Sequence, residues 1–120
     1  MSPSSDAAWQ QLISALHASG RKAALAITGG GSGAVGELLG VPGGSRLLIE
    51  AQVPYDASAL ATFLGFAPAQ ACSADTAIAM ARSARGRAAR LAPADADTVG
   101  LGASGAGPRR QAGAGGCRSG

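Results

Sequence analysis

The sequence predicts an α/β fold, and two stretches of chain carry that expectation. The apolar run Ala23–Thr28 reads as a buried strand, Gly29–Gly33 as a glycine-rich turn, and Ala34, Val35, Leu38 and Leu39 follow at helical spacing. A second strand-like stretch, 46–53, is stopped by Pro54 and leads into a helix containing Leu60, Phe63 and Leu64. The 120 residues have room for one small domain. Hydrophobic residues make up 47% of the chain but aromatic residues only 3%. Its core must therefore be built from Ala, Leu, Ile and Val, which bury less area per residue than Phe or Trp.

The elements follow in order. Ser5 and Asp6 are suitable N-caps, and Trp9, Leu12, Ile13 and Leu16 recur at i, i+3, i+4 and i+7. That pattern predicts an amphipathic helix ending near Gly20. His17, the only histidine, falls near its C-terminus, where a surface or capping role is expected. After the strand, turn and helix of 23–39, Val41-Pro42-Gly43-Gly44-Ser45 reads as another turn. Tyr55 and Asp56 open the next helix, and Gly65-Phe66-Ala67-Pro68 turns the chain again. Ser73 or Asp75 caps a long helix over 74–91, with Ile78 and Met80 expected inward. Arg82, Arg85, Arg87 and Arg90 spread around its later turns and read as a solvated face, because no aromatic residues accompany them. A further strand can begin at Thr98. Residues 103–120 hold six Gly and no Ile, Leu, Val or aromatic residue, a composition that predicts a disordered Gly/Arg-rich tail.

Charge and cysteine usage narrow the function classes. The formal charge is +3, but Arg109, Arg110 and Arg118 supply all of it, and the body of the chain is balanced. A neutral body lacks the footprint of a nucleic-acid binder, so no nucleic-acid partner is expected. Cys72 and Cys117 have no metal-ligand spacing and, with one histidine present, predict a buried thiol and a tail thiol with no bound metal. No apolar run approaches the length of a membrane span, and the polar N-terminus has no signal-peptide pattern, so the expected location is cytoplasmic with no membrane partner.

The segment Ala26 to Ala34, then Val41 to Ser45, then Glu50 to Tyr55, resembles in order and spacing the C-terminal domain of the CinA family, the nicotinamide mononucleotide deamidases. That family typically shows a strand ending in Glu-Ser-Cys-Thr-Gly-Gly, a helix, an Ala-Gly-Ser-Ser-type turn and a strand ending in Tyr-Ser-Asn. The resemblance spans roughly 7–102 and is to a divergent branch with Thr-Gly-Gly-Gly-Ser-Gly-Ala in place of the serine motif. It implies a three-layer α/β/α domain over 7–102, incomplete at its C-terminus, with 103–120 as tail. The tail's composition also fits off-frame reading of GC-rich DNA. Covering the open sheet edge by a homo-oligomer is one expected arrangement.

The resemblance further implies hydrolysis of the nicotinamide amide, with no cofactor and a serine nucleophile at the strand-to-helix turn. Thr28 stands at that position, Ser32 lies four residues on, and Tyr55 matches the family tyrosine. The lysine expected five residues later is Leu60, and the histidine expected before the Ser73 helix is Ala69. Glycines at such a turn let backbone N–H groups approach an anion, so Gly29, Gly30, Gly31, Ser32 and Gly33 are the expected ligand- or phosphate-binding residues. Two functions follow. One is an amidohydrolase using Thr28 or Ser32 with Tyr55 assisting. The other is a non-catalytic relative that binds a nucleotide or phosphorylated metabolite, or only packs against a partner.

Overall fold

A computed structural model describes residues 3–105 of the chain. Helix α1 spans Pro3–His17, strand β1 Arg21–Gly29 and helix α2 Gly33–Gly40. A 3-10 turn at Gly44–Arg46 leads to β2, Leu48–Gln52, followed by α3, Ala57–Leu64, α4, Ala74–Leu91, and β3, Asp97–Gly105. The three strands form one parallel sheet in the order β2-β1-β3. This is an α/β fold with the apolar strand β1 at its centre, where six consecutive residues, Ala23 to Thr28, are buried. Two-sided burial explains why β1 is a continuous apolar run with no alternation.

Alternate residues of β1 serve two cores. Ala24 and Ala26 pack with Leu60 of α3 and with Met80, Ala84 and Ala88 of α4. Ala23, Leu25 and Ile27 pack the other way, with Leu47 and with Val35 and Leu38 of α2. On the first side α4 lies directly on β3. A Cβ added at Gly100 would fall 2.2 Å from the Ala81 carbonyl oxygen, and one at Gly102 would fall 2.3 Å from that of Ala77. No side chain fits there. Gly100 and Gly102 pair with Ala24 and Ala26, so two glycines two residues apart turn the same way and let helix and strand backbones touch.

The caps explain where the helices begin and end. Ser73 accepts a hydrogen bond from the Thr76 N–H at the start of α4, and Asp56 accepts one from the Ser58 N–H at the start of α3. Gly65, at φ 87°, closes α3 in the left-handed conformation.

Several expectations are corrected. Among the described side chains of α1 only Ile13 and His17 are buried, whereas Trp9, Leu12 and Leu16 are 43–53% exposed. The apolar stripe is wider than the surface available to cover it, since α2 itself buries no residue completely. His17 is not at the surface: it is 1% exposed, with Nε2 2.9 Å from the Leu38 carbonyl oxygen. A carbonyl only accepts, so Nε2 donates, and buried Nδ1 has no partner among the described residues. Ile78 is 50% exposed while Met80 is fully buried, because residues two apart on a helix face nearly opposite ways. The second strand begins at Leu48, with Arg46 still in the 3-10 turn. The boundary at 102 also moves, since β3 continues through Ala103, Ser104 and Gly105, paired with Ile27, Thr28 and Gly29. Backbone pairing holds these small residues in place, helped by Ala103 packing against the Ile27 side of the core. The rest of the expected tail, 106–120, lies outside the described residues. Cys72 is not the free thiol expected, and Cys117 lies outside the described residues. No described helix is long and apolar enough to cross a membrane.

Candidate functional site

In a parallel sheet all strands finish at the same edge, and ligands of open α/β sheets bind outside those carboxyl ends. Here β1 ends at Gly29, β2 at Gln52 and β3 at Gly105. The central strand runs into a tight turn and then α2, as the glycines require. Gly29 (φ 92°) and Gly31 (φ 102°) both hold left-handed backbone conformations that L side chains rarely adopt. The Gly30 N–H donates to the Gly105 carbonyl at 3.3 Å, which pins the turn to the end of β3. Ala34 and Val35 donate back to the Gly31 and Ser32 carbonyls. The N–H groups of Gly31, Ser32 and Gly33 find no acceptor among the described residues, as expected for the opening of a helix. Ser32 is exposed, and its hydroxyl does not cap α2.

Thr28 sits one residue before the turn and is 7% exposed. Its hydroxyl donates to the Ala103 carbonyl at 3.5 Å, a long bond at the limit of useful geometry. Across the strand its register partner is Ser104. The Ser104 hydroxyl donates to the Ala71 carbonyl and accepts from the Ser73 N–H at 3.2 Å. Ser73 in turn donates to the Thr76 hydroxyl at 3.0 Å, and Thr76 donates to the Gln70 carbonyl. Four hydroxyl residues, Thr28, Ser104, Ser73 and Thr76, thus line the way from the carboxyl end of β1 to the first turn of α4. Sequence reasoning placed Ser104 in the tail and saw only a cap in Ser73. The available signal was the Ser73-x-x-Thr76 spacing; nothing in one dimension pairs Ser104 with Thr28.

Tyr55 lies just beyond the end of β2 and is 76% exposed. It lines a small pocket of about 190 Å³ with Leu60, Ala67, Pro68, Ala69 and Ala71. Leu60 and Ala69, which stand where the resemblance calls for a lysine and a histidine, therefore share one pocket with Tyr55, and that pocket is mostly apolar. Neither Thr28 nor Ser32 lines it. Ala71 connects the two places, since its carbonyl accepts the Ser104 hydroxyl. Among the described residues no three His, Cys, Asp or Glu side chains come together as metal ligands.

The perturbed titrating groups belong neither to the glycine turn nor to the row of hydroxyls. The Arg87 guanidinium forks onto Glu50 and, with a hydrogen bond from Gln52, holds the Glu50 carboxyl below its ordinary range against the opposing effect of burial. Hydrogen bonds from the Ser58 hydroxyl and N–H likewise lower Asp56. No family model, curated protein or solved structure matches the chain. The site has to speak through its own geometry.

Proposed function

We propose that this chain is a CinA-like α/β domain of three layers that binds the phosphate of a nucleotide or phosphorylated metabolite at the Gly29–Gly33 turn without turning it over. The observation that carries this reading is the set of N–H groups of Gly31, Ser32 and Gly33 at the end of the central strand, which have no acceptor among the described residues. Aligned N–H groups at a helix opening attract an anion by hydrogen bonding and by the helix dipole.

Binding without turnover is favoured by the surroundings of Thr28. Its hydroxyl is buried and donates to a main-chain carbonyl, and the side chains hydrogen-bonded in the adjoining network are, among the described residues, further hydroxyls. A hydroxyl with no base is a poor nucleophile at neutral pH, and loss of general-base help costs about 10²–10⁴ in rate. The second reading, nicotinamide mononucleotide deamidation with Thr28 or Ser32 as nucleophile, draws support from the exposed Tyr55 hydroxyl on the same edge of the sheet.

Incubating the protein with nicotinamide mononucleotide decides between them. The proposal expects a rise in thermal midpoint with no ammonia released. Ammonia release that disappears in Thr28→Ala would establish the deamidase instead. Absence of both signals, with a panel of phosphorylated nucleosides equally silent, would remove the turn as a ligand site.

A further inference from the structure

We infer that the groove between α3 and α4 is a second anion site, built to take the phosphate chain of an oligophosphate. The groove encloses about 1110 Å³, begins beside Gln52 at the end of β2, and shares no residue with the Gly29–Gly33 turn. Its chemistry is set by α4. At 3.6 residues per turn, Arg82, Ser83, Gly86, Arg87 and Arg90 fall within an arc of about 140° on that helix, while Arg85 falls outside it. The first five line the groove and Arg85 does not.

Three guanidinium groups line the groove, and that of Arg87 is paired with a carboxylate. Arg87 forks onto Glu50, and Arg90 also acts electrostatically on that carboxyl, but neither Arg82 nor Arg90 makes an ion pair among the described residues. The other acid beside α3, Asp56, is engaged in capping that helix. On the walls stand two further hydroxyl side chains, Thr62 and Ser83. Gly86 sits in the interior of an 18-residue helix, where glycine is the poorest choice after proline. A Cβ there would make only ordinary contact, 3.7 Å from the Arg90 guanidinium, so packing does not demand the glycine. Its effect is an open floor between Arg82 and Arg90, one turn to either side.

A row of cations over two helical turns, about 12 Å, suits a chain of charges better than a single phosphate. The one aromatic residue lining the groove, Phe63, packs against the core and offers no stacking platform, which disfavours single-stranded nucleic acid. The phosphates are read and the base is not.

Calorimetric titration of the full chain with tripolyphosphate, inorganic phosphate and metal-free ATP tests this. In the Gly31→Val background, which disables the turn, one-site binding is expected for tripolyphosphate, with ATP within roughly 3-fold and phosphate roughly 10-fold weaker or worse, and the groove variants are compared in that background. The double variant Arg82→Gln/Arg90→Gln should weaken tripolyphosphate binding by roughly 10-fold or more, and Arg85→Gln by less than about 2-fold. Gly86→Leu fills the floor with a better helix former. It should abolish binding while the thermal midpoint holds or rises, which separates loss of the groove from loss of the fold. Gly31→Val should leave groove binding intact, so failure at the turn and failure at the groove are told apart. The inference is overturned by absence of saturable binding, by an equal loss in Arg85→Gln, or by tighter binding of a single-stranded oligonucleotide than of tripolyphosphate.

Discussion

On one side of β1, α4 is laid against β3 at backbone contact, its N-terminus is capped, and Met80, Ala84 and Ala88 are 0–1% exposed. On the other side α2 buries no residue completely, α1 leaves Trp9, Leu12 and Leu16 exposed, and Leu39 and Leu101 are more than half exposed. The better-buried side is not the more apolar one: α4 carries four arginines, whereas Glu37 is the one charged residue of α2. What differs is the distance of approach. Glycine and alanine let one long helix sit close enough to exclude solvent, whereas the bulkier Leu and Trp of the opposite side cannot all be covered by two short contacts. Burial here follows from fit more than from hydrophobicity.

That contrast breaks most visibly at the helix–strand seam. Gly102→Val forces a side chain into the α4 backbone and should cost on the order of 4 kcal/mol, read as loss of a cooperative melt or of soluble protein. Met80→Ala should cost about 2–5 kcal/mol by denaturant titration, whereas Leu39→Ala on the open side should stay within about 0.5 kcal/mol. Equal losses from those two truncations would erase the difference between the sides. Ser73→Ala removes the α4 cap and should cost about 1 kcal/mol, with faster amide exchange confined to the first turn of that helix.

A further, small effect is electrostatic. Glu50 has its folded-state pKa lowered, so its contribution is complete at neutral pH and is lost as pH falls through the acid range. The pair is partly exposed, so its worth is about 0.5–1 kcal/mol. Glu50→Gln should flatten the acid limb of stability against pH and leave the alkaline limb unchanged.

Much of the fold was legible in one dimension. The apolar run at 23–28, the caps Asp56 and Ser73, and the glycines after Thr28 place β1, α2, α3 and α4 close to where they stand. Each of these signals is local. Outcomes that depend on a partner element were not legible. The stripe on α1 shows which face is apolar but not how much of it is covered, and a lone histidine does not announce that α2 will lie over it. The end of β3 was hidden because Gly100, Gly102 and Ser104 have no apolar periodicity; small residues signal a strand only once the helix above them is known. The candidate site divided in the same way. The turn was readable from its glycines, while the Ser104–Ser73 bridge and the arginine groove exist only through register and helix packing.

Gly100 and Gly102 have one more consequence, in mutational tolerance. Neither position can accept even a methyl group without moving α4, yet Leu101 between them faces away and is 55% exposed, so it is free to vary. Along this stretch replaceability alternates residue by residue, and the positions that look most like filler are the ones the chain can least afford to change.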